Sequence, residues 1–103
     1  MKINWGKVPT TLLGNGIFAQ LDGPPLTLRD ICLYAVLNSD IRGLDLEAKM
    51  VRYQFGKKIK EADANTDFEQ SELDAIEQFV GGMDMFGPAV IGVLCEEFRS
   101  QND

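Results

Sequence analysis

The sequence predicts a mainly α (α+β) domain, a compact bundle of about four helices with an N-terminal β-hairpin. Three observations predict it. Thr27 and Asp30 have capping-box spacing, with Leu26 and Ile31 placed as a hydrophobic staple around them. Beyond residue 26, apolar side chains recur at helical period in four successive segments. Upstream, Asn15-Gly16 is a strong hairpin-turn signal between two runs of β-favouring residues. A length of 103 residues suits one domain and leaves no room for two separate cores. The expected layout is an extended or hairpin arm over 1–25, a helical core over 26–99 and a fraying tail over 100–103.

The arm pairs Thr11-Leu12-Leu13 with Ile17-Phe18-Ala19-Gln20-Leu21 across the Asn15-Gly16 turn. A lone hairpin is marginal in water, so it must lie on the helices. Asp22-Gly23-Pro24-Pro25 breaks it and hands over to the first helix, expected over about 28–38. There Leu28, Ile31, Cys32, Ala35 and Val36 share one face, widened by Leu33 and Leu37, which marks the helix as central.

The second helix is expected over about 46–62, with Asp45 as N-cap and Glu47 in the first turn. Ala48, Val51, Phe55 and Ile59 form its buried stripe, with Leu46, Met50 and Tyr53 beside it. Lys49, Lys57, Lys58 and Lys60 face water. Gly56 in mid-helix costs about 1 kcal/mol relative to Ala, which close approach of another helix would explain.

The third helix starts between Glu69 and Ser71, capped by Asp67 or Ser71, and stops at Gly81-Gly82. Leu73, Ile76, Phe79 and Val80 are its apolar stripe. The fourth begins at Pro88 and buries Val90, Ile91, Leu94, Cys95 and Phe98, leaving Glu96, Glu97 and Arg99 in solvent.

Charge is unevenly divided along the chain. Residues 1–60 carry a net +4 and residues 61–103 a net −10, for −6 in all. An acidic half repels nucleic acid and membrane surfaces and suits a protein partner. No apolar stretch is long enough to span a bilayer, and the first residues lack a secretory apolar centre. The expected location is therefore cytoplasmic. Cys32 and Cys95 both fall in apolar helical patterns and read as buried reduced thiols; the sequence leaves open whether they are ever bonded.

No catalytic constellation emerges. The chain has no histidine, which removes the commonest general base and the usual zinc ligands, and no pair of carboxylates stands out among the acids. An enzyme is not expected, nor a cofactor or a metal. Asp63, Asn65 and Asp67 imitate the first three ligands of a calcium loop, yet Phe68 replaces the turn glycine and Asp74 the bidentate Glu. Gly14-Asn15-Gly16 lacks the features of a phosphate loop. Lys57, Lys58, Lys60 and Arg52 make a small basic patch without interleaved aromatics.

Two segments are candidates for partner binding. One is the acidic face of the third helix, carried by Glu69, Glu72, Asp74 and Glu77. The other is the loop of Met83, Met85 and Phe86, where adaptable thioethers flank an aromatic anchor. The bland reading makes the first an ordinary wet face and the second a lid on the core. Trp5, Phe18 and Phe86 likewise read either as seals on the core ends or as contact residues.

Several motifs together resemble those of small proteins encoded by tailed bacteriophages and prophages. These are Pro25-Leu26-Thr27-Leu28-Arg29-Asp30-Ile31-Cys32, Arg52-Tyr53, Lys58-Ile59, Glu72-Leu73-Asp74-Ala75-Ile76 and Gly87-Pro88-Ala89-Val90-Ile91-Gly92, spread over residues 25–98. The resemblance brings no catalytic residue with it. It implies a phage product acting in the bacterial host cytoplasm. In that setting the expected function is non-enzymatic binding that modulates a host or phage protein. The alternative is a virion or tail assembly factor, or a minor structural protein, with self-association. A lesser alternative is an acidic nucleic-acid mimic built on the third helix.

Overall fold

The computed structural model describes residues 2–9, 25–83 and 86–100. Four helices follow one another: α1 (Leu28–Asn38), α2 (Leu46–Glu61), α3 (Gln70–Gly81) and α4 (Pro88–Ser100). Helix α1 packs against both α2 and α3, and α3 carries α4. The domain is thus mainly helical. An isolated antiparallel bridge joins Lys2 to Asp67. The hairpin expected around Asn15-Gly16, like Phe18, Met85 and residues 101–103, lies outside the described residues.

The start of α1 is satisfied from two sides. Asp30 N–H donates to Thr27 Oγ1 at 3.2 Å, and Thr27 N–H donates to Asp30 Oδ2 at 3.1 Å, closing the capping box. The two preceding amides donate to the N-terminal arm: Leu28 N–H to the Lys7 carbonyl at 2.8 Å, Arg29 N–H to the Trp5 carbonyl at 3.0 Å. The helix start therefore has partners for donors that every helix leaves over, and the arm is fixed by supplying them. Leu28, Ile31, Cys32, Ala35 and Val36 are all buried, the stripe read from the sequence.

The arm is held at two further points. Trp5 is 2% exposed and meets Phe68 at 5.0 Å and Phe98 at 6.2 Å between ring centroids, in tilted and edge-on geometry. Lys7 Nζ donates to Glu97 Oε2. The Glu97 side chain is only 8% exposed, so its expected place in solvent is wrong. The reason is the arm. It lays a cation against α4 and makes burial of the carboxylate tolerable.

Helices α1 and α2 run antiparallel, and each receives an arginine from the other. Arg29 Nη2 in the first turn of α1 donates to the Ala62 carbonyl at the C-cap of α2. Arg52 Nη1 in α2 donates to the Val36 carbonyl at 2.9 Å and the Ser39 carbonyl at 2.8 Å, at the end of α1. Helix α1 has no basic residue in its own last turn, so Arg52 supplies the positive charge that its C-terminus favours. Its guanidinium also lies over the Phe79 ring of α3, 4.1 Å from the centroid.

Asp45 caps α2 as expected, accepting from Ala48 N–H at 2.8 Å. The buried face of α2 departs from expectation. Only Gly56 and Ile59 are fully buried, Ala48 and Phe55 are half-buried, and Val51 is 65% exposed. The helix is rolled so that Arg52 and Gly56 face α1. At Gly56 an added Cβ would stand 2.9 Å from Leu37 Cδ2 and 3.4 Å from Leu33 Cδ1, so α1 side chains occupy that space.

Helix α3 is capped by Glu69, not by Asp67 or Ser71: Glu69 N–H donates to Glu72 Oε1 at 2.9 Å. Leu73, Ile76 and Val80 are buried. In α4, Leu94 and Phe98 are buried, while Val90, Ile91 and Cys95 are half-buried.

Two substitutions test this packing. Gly56→Ala gains about 1 kcal/mol of helix propensity and displaces only the mobile end of Leu37, so its stability stays near wild type. Gly56→Leu also drives into Leu33 and costs about 1–3 kcal/mol in urea denaturation. Arg52→Met strands two carbonyls at the end of α1 and costs about 2 kcal/mol. Arg52→Lys recovers only part of that, because a single ammonium does not present the guanidinium fork.

Candidate functional site

The acids predicted on α3 do not form one free surface. Glu72 is half-buried, and both its oxygens lie 2.9 Å from Lys58 Nζ while Oε1 also caps the helix. Glu77 is half-buried and pairs with Arg99 at 3.5 Å. Asp74 is exposed and accepts from Gln70 Nε2 at 2.8 Å. Glu69 is exposed at the N-cap. Asp74 and Glu77 share a shallow depression with Gln78 and Cys95, and Glu72 is turned instead toward α2.

The second candidate, the loop after α3, contributes mostly to the core. Phe86 is 6% exposed and meets Tyr34 edge-on at 6.5 Å. Met83 is half-buried against the core cluster. Met85 lies outside the described residues. Trp5 and Phe86 thus take the role of seals.

The surface that stands open is the outside of α1 and α2. Among the described residues the exposed large apolar side chains there are Tyr34, Leu37, Leu46, Met50, Val51 and Tyr53, with Leu46 at 78%, and Ile41 adds to them from the segment between the two helices. Two grooves flank α2. Between α2 and α3, Ala48, Val51, Phe55, Ala75 and Phe79 line a groove of about 420 Å³ with Arg52 at its edge. Its floor is held by the edge-on contact of Phe55 with Phe79 at 6.5 Å. Between α1 and α2, Leu33, Leu37, Tyr53 and Gly56 line a second groove of about 350 Å³, rimmed by Lys57, Lys60 and Glu61. Arg52 is committed to α1 carbonyls and Lys58 to Glu72, so neither belongs to a free basic patch.

Sequence reasoning missed this surface because it merged two rows into one. Leu46, Met50, Tyr53 and Lys57 follow one another at i, i+4, i+7 and i+11, a row of their own on the side opposite Ala48, Phe55 and Ile59. A helix with apolar rows on opposite sides signals either burial all round or a contact face.

The thiols and acids offer little reactive chemistry. Burial pushes the Cys32 thiol far up, and burial, then the Glu77 carboxylate, raises that of Cys95; both thiols are free. Asp63 Oδ1 accepts from Asn65 N–H at 2.8 Å and from Thr66 Oγ1 at 3.1 Å. These bonds hold its carboxyl below the usual range and explain the residue as a turn former. Among the described residues no group of three or more His, Cys, Asp or Glu side chains is placed to hold a metal ion. No helix is long and apolar enough to cross a membrane among them. What this geometry can do is take up an amphipathic segment along α2.

Glu72 sets a pH dependence. Burial alone would raise its carboxyl, but the Glu69 amide and the Lys58 ammonium outweigh burial and hold it below 4.5. A lowered folded value means that the stabilisation is present above pH 4.5 and is lost as pH falls through the folded value. Glu72→Gln therefore costs about 1 kcal/mol at pH 7 and flattens the acid limb of the stability profile, read by urea denaturation at stepped pH. Compared with family models, curated proteins and solved structures, the chain matches none.

Proposed function

We propose that this chain is a non-enzymatic protein-binding factor whose contact face is the outer surface of α2 and its two grooves. One observation carries the reading. Leu46, Met50, Val51 and Tyr53 are each about half exposed or more on a single helix, while that helix fully buries only Gly56 and Ile59. Exposed apolar side chains gathered on one helix, Leu46, Met50 and Tyr53 in one row and Val51 at the mouth of the groove toward α3, are a mark of interaction sites. Helix-in-groove binding needs what α2 offers, an apolar furrow beside a polar rim.

The setting proposed with it is a phage product acting on a host or phage protein in the bacterial cytoplasm, and it rests on the motif resemblance over residues 25–98. The acidic face of α3 is the weaker contact candidate, because Glu72 and Glu77 already hold Lys58 and Arg99. That occupation also counts against mimicry of nucleic acid, which needs its anions free. Assembly into a virion keeps one specific support, since an open apolar helix face also suits self-association.

The test is affinity capture from phage-infected bacterial lysate with three chains: wild type, Leu46→Glu/Val51→Glu, and Glu72→Gln/Glu77→Gln. The expected outcome is a partner retained by wild type, lost at least about tenfold with the first variant and kept with the second. Far-UV circular dichroism confirms that both variants stay helical. Retention by the first variant and loss with the second would return the contact to the α3 acids.

A further inference from the structure

The proposal above leaves the occupant of α2 open. Resting on that reading, we infer that one occupant is a second copy of this chain, with α2 pairing antiparallel to α2 about a two-fold axis. The open side of the helix has a definite order of charge and apolar residues. Asp45 and Glu47 stand with Lys49 at its beginning, Leu46, Met50 and Tyr53 form the row, and Lys57 and Lys60 close it with Glu61, so the beginning is net acidic and the end net basic. Acid, apolar row and base in that order form a self-complementary strip. Turned end over end about the midpoint of the row, it brings Met50 of one copy to Tyr53 of the other. It also sets Lys57 of each copy against Leu46 and Glu47 of the other.

Parallel pairing would set like charge beside like charge at both ends, and it would align the two helix dipoles unfavourably. Antiparallel pairing opposes them. An isologous contact of this kind closes on itself and gives a dimer, not a filament. Lysine stems can lie along apolar neighbours while their ammonium groups reach a carboxylate or water, so Lys57 fits at the margin of the row.

The strip has room to grow sideways. Leu37 and Tyr53 line one groove, and Tyr34 and Leu37 line the next, so apolar surface continues from α2 onto α1. Stable interfaces bury about 800 Å² per partner, which a helix of about 24 Å does not reach by one row alone. The α1 margin is the apolar surface that adjoins the row, and a contact of this size belongs to the weak, reversible class.

Sedimentation velocity over a concentration series tests the proposal, with far-UV circular dichroism to confirm folding of each variant. Wild type is expected to pass from monomer to dimer, and Met50→Glu is expected to weaken the dimer at least about tenfold. The decisive set is a charge swap: Glu47→Lys and Lys57→Glu each weaken the dimer, and the double variant Glu47→Lys/Lys57→Glu restores it. Wild type that stays monomeric up to about 300 μM overturns the proposal, as does a double variant that recovers nothing. In either case, loss of a captured protein with Leu46→Glu/Val51→Glu keeps the contact-face reading alive. A dimer that obeys the swap beside a capture that ignores that variant upholds the dimer and removes that reading.

Discussion

The exchange of arginines between α1 and α2 is the constraint on which the rest of the structure depends. Helix ends carry unsatisfied carbonyls, and here each end is answered from the antiparallel neighbour. Arg29 reaches the Ala62 carbonyl at one end of the pair, and Arg52 reaches Val36 and Ser39 at the other. The two halves are unequal. Arg29 keeps a buried Nε without a hydrogen-bond partner, a cost of about 1–3 kcal/mol against what its carbonyl bond contributes. Arg52 makes two carbonyl bonds and covers Phe79, so it ties three helices together. Between the arginines Gly56 lets Leu33 and Leu37 close on α2, which sets how the helix is rolled.

That roll is also what leaves α2 open. Turning Arg52 and Gly56 inward carries Val51 to one margin and Tyr53 to the other, and it leaves Leu46 and Met50 outside. Helix α3 does not cover them, because it packs on α1 and holds α2 chiefly through Lys58 with Glu72 and through Phe55 with Phe79. The same residues that fix the fold therefore leave these apolar side chains exposed.

Much of the fold was legible in the sequence, and the part that was not has a definite cause. The limits of α1, its capping box and its five buried residues followed from local spacing alone, because an N-cap and an apolar period are local devices. Asp45 and Pro88 marked the starts of α2 and α4 for the same reason. What local spacing does not contain is the direction in which a helix is rolled by its neighbours. Arg52 read as a surface cation and Glu97 as a surface anion, and each is defined by a partner far along the chain. Val51 read as core by its period, yet it is 65% exposed at the edge of the groove toward α3. The candidate site suffered most, since exposure is a property of the assembled packing. The acids of α3 stand out by number, but the ion pairs of Glu72 and Glu77 depend on cations from α2 and α4.

Those ion pairs change what the net charge means. The acidic half of the chain holds −10, but Glu72, Glu77 and Glu97 are answered by Lys58, Arg99 and Lys7 from three other segments. The pairs make the charge asymmetry a device for joining elements, and they reduce the anionic field available to a partner. Helix α2 belongs to the cation-rich half, so approach to its face does not meet the full charge of −6. At physiological ionic strength the Debye length is about 8 Å, which screens the distant acids and leaves the charges at the rim of the contact in force. Salt then acts on any complex at this face in two opposing ways, relieving the general repulsion and weakening the pairs at the rim. The apolar row is indifferent to both, and for that reason affinity at this face is set first by Leu46, Met50 and Tyr53 and only adjusted by the charges around them.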